Sequence, residues 1–261
     1  LRAGGGVDRR RDRRRAAGMW QLQLDDHPRV ALVRIVNFGD KTIDELREVL
    51  TNLPTQVEAV VLDLRDNAGG ALTAAVGVSD LFLAGGKAIV ETRGRDGDVR
   101  DRWSATGTGE FQRLPLAVLI NQNTASASEI VAAAVQDHGR AAFIGQRSFG
   151  KGTVQRVLHV GSRGTGRLNL TTSTYWRPSG ANIHRMPGDS EDDDWGVVPD
   201  EGLNVALTED QYLEFRKYRN QRDLIQEDAG GQATATSHDV VLETAVQRLE
   251  TMLDATSPPR S

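Results

Sequence analysis

The chain has 261 residues, with 32 Lys and Arg against 36 Asp and Glu, 38% apolar residues and no cysteine. That length supports a real hydrophobic core in one large domain or two modest ones, and a net charge of -4 argues against a broadly basic nucleic-acid binder. Disulfide scaffolds, Cys-ligated metals and cysteine nucleophiles are excluded, and apolar runs such as 115–120 fall far short of the ~20 residues of a membrane-spanning helix.

Residues 1–27 carry Gly4, Gly5 and Gly6 and the run Arg9-Arg-Arg-Asp-Arg-Arg-Arg15. They read as a basic flexible segment or the remnant of a preceding domain, with an arm for nucleic acid or anionic lipid as the sharper alternative. Residue 1 is Leu, so the chain is expected to start inside a longer gene product whose leader it does not report. Residues 30–36 are β-branched and apolar and predict a strand. Ile43, Leu46, Val49, Leu50 and Leu53 recur at helical spacing over 42–53. The continuous apolar run 59–64 suits a buried parallel strand; it ends in the turn-rich Arg65-Asp-Asn-Ala-Gly-Gly70, before a small-residue helix over 72–83. Residues 88–93 and 99–103 flank Gly94-Arg-Asp-Gly97 as a hairpin. A second buried strand is expected at 116–120, then a helix over 128–136 closed by Gly139. Residues 141–144, 153–160 and 167–175 complete the strands. This alternation predicts an α/β core with a partly parallel sheet.

Beyond about residue 205 the character changes. Residues 208–226, with Leu213, Phe215 and Tyr218, read as a charged helix, and 230–237 as a Gly/Ala/Thr/Ser linker. The apolar stripe of 240–253 predicts a helix packed on the core. The expected organisation is a basic segment 1–27, a core 28–205 and a helical C-terminal extension 206–261.

Several motifs are decoys. Gly145-Gln-Arg-Ser-Phe-Gly-Lys151 begins like a phosphate-binding loop, but Gly152 replaces the Ser or Thr that would hold magnesium, and a strand-like segment follows. The five histidines show no metal-ligand spacing, and no Gly-x-Ser-x-Gly elbow is present. The acidic run 189–194 lacks the spaced ligands and glycine of a calcium loop and reads as a solvated loop.

Asn121-Gln-Asn-Thr-Ala-Ser-Ala-Ser-Glu129 follows a buried strand and enters a helix. Ser126 and Glu129 have the spacing of a capping box, which is a sufficient local reason for both. A serine at a helix N-terminus is also suited to nucleophilic work, because free N–H groups and the helix dipole face a developing oxyanion. Its candidate base is Lys151, held between Gly150 and Gly152. A lysine acting as base near neutral pH must be largely uncharged, so burial and a supporting acceptor are expected of it. The bland alternative is an exposed lysine on a turn.

These residues carry a resemblance. Asn121 to Glu129, Phe149-Gly-Lys-Gly-Thr-Val-Gln155 and the 25-residue gap between Ser126 and Lys151 resemble the carboxyl-terminal processing (tail-specific) proteases, which are Ser–Lys endopeptidases. Supporting matches are Leu62-Asp-Leu-Arg-Asp-Asn-Ala-Gly-Gly70, Tyr175-Trp-Arg-Pro-Ser-Gly180 with Ile183, and Gly196-Val-Val-Pro-Asp200. The resemblance covers residues 30–205 or so, and the last helix is similar to the family's closing segment. It implies a crotonase-like α/β core with C-terminal helices, usually preceded by a peptide-binding PDZ domain that is missing here.

The resemblance also implies Ser126 as nucleophile, Lys151 as general base and Gln155 as the group that orients the lysine. Four residues of straight strand span ~13 Å, so contact between Lys151 and Gln155 requires the glycines to bend the chain or the side chains to lean together. The implied oxyanion hole uses the N–H of Ala127 and a glycine N–H, Gly69 first and Gly70 close behind. No metal or cofactor is implied. Substrates would be proteins with flexible C-termini, in the periplasm or cell envelope of a bacterium; nucleic acid is not expected, and peripheral membrane association and oligomeric state stay open. Ala68 replaces the usual proline and Thr124 a frequent serine. The rival reading is a non-catalytic peptide or apolar-ligand binding module of the same fold.

Overall fold

The computed structural model describes residues 7–8, 23–24, 26–107, 109–160, 166–223 and 239–256. Strands β1 (Val7–Asp8), β2 (Gln23–Leu24) and β3 (His27–Ile35) lead into helix α1 (Thr42–Thr51), β4 (Ala59–Asp63) and α2 (Leu72–Phe82). A hairpin of β5 (Ala88–Arg93) and β6 (Val99–Ser104) precedes β7 (Leu116–Ile120), α3 (Ala127–Asp137) and β8 (Ala142–Gly145). Strands β9 (Thr153–Val160) and β10 (Gly166–Trp176) follow, then helices α4 (Glu209–Asp223) and α5 (Val240–Thr256).

The two continuous apolar runs, β4 and β7, are buried at every position. They have no polar side to offer water, so they occupy the middle of a sheet covered on both faces. The order β3-β4-β7-β8 is parallel throughout. Alternate residues divide the core. Ala31, Val33, Val60, Leu62 and Val118 face a cluster shared with α2 and α3. Val30, Leu32, Val61, Ala117 and Leu119 face α5 through Val241, Ala245, Val246 and Leu249. The stripe predicted for 240–253 thus closes the second face of the sheet.

Two strands fall inside the segment expected to be flexible. β1 pairs antiparallel with the end of β3, Val7 opposite Ile35, and β2 pairs antiparallel with its start. Two-residue strands have no periodicity to read, and their pairing is supplied by the exposed edge of β3. The basic run 9–15 and the linker 230–237 lie outside the described residues.

The second sheet is antiparallel, in the order β6-β5-β10-β9. The predicted hairpin is its first half. Gly139 closes α3 with φ +59°, and the Arg140 N–H reaches back to the Val135 carbonyl (3.0 Å), the six-to-one bond of a Schellman motif. Gly145 ends a strand, and the chain then enters β9 instead of a helix, so 145–151 lacks the context of a phosphate loop. Among the described residues, no helix is long and apolar enough to cross a membrane.

The loops after β4 and β7, at the carboxyl ends of adjacent parallel strands, are stitched together. The Ala125 N–H donates to the Asn67 carbonyl (3.0 Å), the Asp66 N–H to Asn121 Oδ1 (3.0 Å), and the Thr124 hydroxyl to the Leu64 carbonyl (3.0 Å). Crevices at this end of parallel sheets are where α/β proteins place ligands.

Candidate active site

Ser126 is the N-cap of α3 and sits at φ 59°, ψ −117°. A non-glycine residue there is strained, and such strain is characteristic of sharp strand-to-helix turns that present a nucleophile. Three restraints hold the turn. The Ala125 N–H is taken by Asn67, the buried Ser128 hydroxyl donates to the Asn67 carbonyl (3.0 Å), and the Ser126 N–H donates to Glu129 Oε2 (2.8 Å).

That last bond is the Glu129 half of the capping box, but Glu129 has further partners. Its side chain is fully buried. Oε1 accepts from the Ser148 hydroxyl (2.5 Å) and the Gly150 N–H (2.6 Å), and Oε2 accepts from the Lys151 N–H (2.8 Å) as well as from Ser126. One carboxylate therefore ties the backbone of the candidate nucleophile to the backbone of the candidate base. Burial pushes its pKa up, opposed by the hydrogen bonds from Ser148, Gly150, Ser126 and Lys151. The sequence accounted for Glu129 locally as a cap and missed this role.

The lysine loop is braced from its other side. Gly150 has φ +81°, and a Cβ there would lie 2.7 Å from Arg185 Cβ and 2.9 Å from the Trp195 ring. Trp195 is buried beneath the Arg147 and Arg185 guanidinium groups, 4.4 and 4.3 Å from its centroid, and donates its indole N–H to the Ser190 carbonyl (2.8 Å). The acidic run 189–194 is the solvated loop that positions Trp195. The Gly196-Val-Val-Pro-Asp200 segment contributes the Val197 N–H, which donates to Ser148 Oγ (2.8 Å).

The side chain of Lys151 is exposed, contrary to the burial expected of a base, and among the described residues its ammonium has no hydrogen-bond or ion-pair partner. Gln155 is also exposed, on β9 opposite Thr171, and does not hydrogen-bond Lys151. Loop 150–152 bends as the glycines allow, but it does not bring these two side chains together.

Gly69 packs directly on the serine turn, where a Cβ would lie 2.8 Å from both Ala127 N and Ser126 Cβ. Only glycine permits that approach. Its own N–H donates to Asn67 Oδ1 (2.9 Å). Gly70 bridges to Phe38, and a Cβ on it would collide with the Phe38 carbonyl oxygen. Among the described residues its N–H has no acceptor. Ala127, as the first helical residue, likewise has no intrahelical acceptor for its N–H.

A cleft of about 540 Å³ opens beside this turn, with Ala68, Ala125, Phe149 and Lys151 on one side and Tyr212, Arg216 and Arg219 of α4 on the other. α4 is fastened through its charges. Arg219 pairs with Asp66 (2.6 Å) and Asp63 (3.4 Å), and Phe215 lies between the Arg65 and Arg219 guanidinium groups, 4.4 and 4.3 Å from its centroid. Arg65 is 2% exposed and bonds both Asp63 (2.9 Å) and Asp239 (2.9 Å), the latter just ahead of α5. Burial alone would raise the Asp63 carboxyl, but Arg65 and Arg219 outweigh it and hold the group well below the usual carboxylate range. Asp66 is held down in the same way, by hydrogen bonds from Asn123, Asn121 and Tyr212 and by the charge of Arg219.

A strained serine at a helix N-terminus is thus joined through a buried carboxylate to a glycine-flanked lysine on an α/β scaffold. The family model "Peptidase family S41" matches residues 29–202, and the chain belongs to that family. It is 40% identical over 185 residues to a carboxy-terminal-processing protease of Bartonella bacilliformis, an alignment covering 69% of this chain and 40% of that one. It is 36% identical over 189 residues to a carboxyl-terminal-processing protease of Synechocystis sp., covering 71% and 41%. Among solved structures it is similar to a photosystem II D1 C-terminal processing protease, with TM-score 0.59 and 33% identity, covering 71% of this chain and 44% of that one. A putative peptidase from Parabacteroides merdae, with TM-score 0.59 at 16% identity over 94% of this chain and 68% of that one, shares the fold. The chain spans about 40% of the length of the curated relatives first matched.

Proposed function

We propose that this chain is the catalytic core of a serine endopeptidase that cleaves unstructured C-terminal regions of proteins. The Ser126 hydroxyl attacks a peptide carbonyl while Lys151 takes its proton. The tetrahedral oxyanion is held by the Ala127 N–H and a glycine N–H of the 69–70 pair; Gly70 suits this role better, since the Gly69 N–H is committed to Asn67. Collapse expels the amine, which receives the proton from Lys151, and leaves an acyl ester on Ser126. Lys151 then activates the water that hydrolyses it. In this scheme Gln155 orients the lysine once substrate is bound. Substrate laid across the cleft would remove the water that Lys151 now faces.

The observation that carries this reading is Glu129, whose single buried carboxylate accepts from the N–H of both Ser126 and Lys151. A binding module of the same fold would have no use for that tie. The names of the relatives, carboxy- and carboxyl-terminal-processing proteases, support the substrate class, with the tail added to the protein as an extended strand. To the same reading belong a crotonase-like core over 28–205, a helical extension 206–261, a PDZ domain upstream of these residues, and export to a bacterial periplasm or cell envelope.

The direct test is cleavage of an unfolded protein with an apolar C-terminus. Wild type should cut it, and Ser126→Ala should lower kcat/KM by about 10³-fold or more with the fold retained. A folded wild type that leaves the substrate intact, or a Ser126→Ala variant that cuts it equally well, overturns the proposal.

A further inference from the structure

The cleft beside Ser126 is strongly cationic. Among the described residues, Arg34, Lys151, Arg216 and Arg219 border it, against the single carboxylate of Asp66. Asp66 is already occupied: it accepts from Asn121 (2.9 Å), Asn123 (2.9 Å), Tyr212 (2.8 Å) and Arg219 (2.6 Å), so it has little left to offer a visiting cation. Arg216 is placed differently. Its guanidinium lies 5.9 Å from the Tyr212 ring centroid, and among the described residues it has no carboxylate partner. Among the described residues, the buried Nε–H of Arg219, which is 4% exposed, has no acceptor. A buried donor without an acceptor is unfavourable until something supplies one.

Tyr212, Arg216 and Arg219 stand at i, i+4 and i+7, so a single face of α4 supplies that wall of the cleft. The face is held rigidly by the Asp63, Asp66 and Phe215 contacts already described. It lies outside residues 29–202, the part matched by the family model. The wall therefore comes from beyond the segment that the family model matches, set against the Ser126 turn.

We propose that α4 forms a carboxylate-selecting subsite: Arg216, backed by Arg219, binds a carboxylate of the substrate close to the bond that Ser126 attacks. The proposal rests on the reading of this site as a peptidase. A guanidinium fork matches a carboxylate in two parallel hydrogen bonds, and a positive cleft with low-dielectric walls also gathers acidic chains before they dock. The carboxylate comes from an Asp or Glu side chain or from the substrate's own C-terminus; the chemistry at Arg216 is the same.

The test uses the 261-residue protein and peptides that differ only in charge. In one set Glu and Gln are exchanged at each of the three positions on either side of the scissile bond; in the other the C-terminus is free or amidated. Cleavage is read as kcat/KM, and binding to Ser126→Ala is read by fluorescence anisotropy. At low salt one member of one set should be favoured over its uncharged counterpart about five- to tenfold, and which set responds identifies the source of the carboxylate. Arg216→Ala should bring that ratio to about one and Arg216→Glu should invert it, and the preference should shrink with added salt. A ratio of one throughout, with serine-dependent cleavage intact, overturns the subsite and leaves the peptidase standing. Charge-selective binding to Ser126→Ala with no cleavage by wild type does the reverse. Absence of both overturns both.

Discussion

Glu129 faces two demands that pull apart. Burial raises its pKa above the ordinary carboxylate range, so protonation favours the folded state, and the stability it contributes is lost as pH rises through the folded value. Yet only the ionised form can accept from Ser126, Ser148, Gly150 and Lys151 together. Across the pH range where this group titrates, acid should therefore favour its contribution to the fold and weaken activity. Glu129→Gln separates the two effects. The amide removes the buried charge but turns an NH₂ toward N–H donors, and the serine and lysine backbones lose their common anchor. The expected outcome is a fall in kcat/KM of about 10²-fold, with a change in unfolding free energy of only about 1–2 kcal/mol. Enzyme kinetics beside urea unfolding measure this; unchanged kinetics would remove Glu129 from the mechanism. Half of this arrangement was legible in the sequence. A Ser-x-x-Glu spacing announces a cap, whereas Ser148 and Lys151 lie 19 and 22 residues further on, in a loop with no period to place them.

At the scale of elements, the apolar strands and amphipathic helices were legible because a buried parallel strand and a packed helix each leave a periodic trace. α4 left a fainter one, since its inward face is built from Tyr212, Phe215 and Arg219, with the exposed Arg216 beside them, and reads as a solvated charged surface. Its docking depends on a network whose members lie far apart in sequence, namely Asp63, Arg65, Arg219 and Asp239. Removing Arg65 would strand buried carboxylates on both β4 and the lead-in to α5. We expect Arg65→Leu to cost about 3–5 kcal/mol at neutral pH. Asp63, Asp66 and Asp239 all have folded values depressed below the unfolded one, so the stability they provide is present above the unfolded value of ~3.9 and lost as pH falls through the folded values. In Arg65→Leu that depression is largely lost, and protonation relieves the stranded charges. The gap in urea midpoint between wild type and variant should narrow from pH 7 to pH 4; a constant gap would mean that Arg65 acts by packing alone.

At the scale of the whole molecule, the family-matched segment ends at residue 202, but the folded unit does not. Val30, Leu32, Val61, Ala117 and Leu119 point away from α2 and α3, and they are covered by α5. Without that helix, one face of the central strands would present a continuous apolar surface to water. The helices after residue 205 thus carry two duties, with α5 completing the core and α4 walling the cleft. Leu249 measures the first. It is fully buried among residues of β3, β4 and β7, so Leu249→Ala should cost about 2–5 kcal/mol through lost burial and the cavity left behind. Met252, three residues on and 38% exposed, is the internal control, and truncating it to Ala should stay within about 0.5 kcal/mol. If urea unfolding of the two variants gives equal losses, α5 is an appendage and the sheet is sealed by something else. If the losses differ as expected, the smallest folding unit of this chain runs through α5, and any fragment meant to fold must include it.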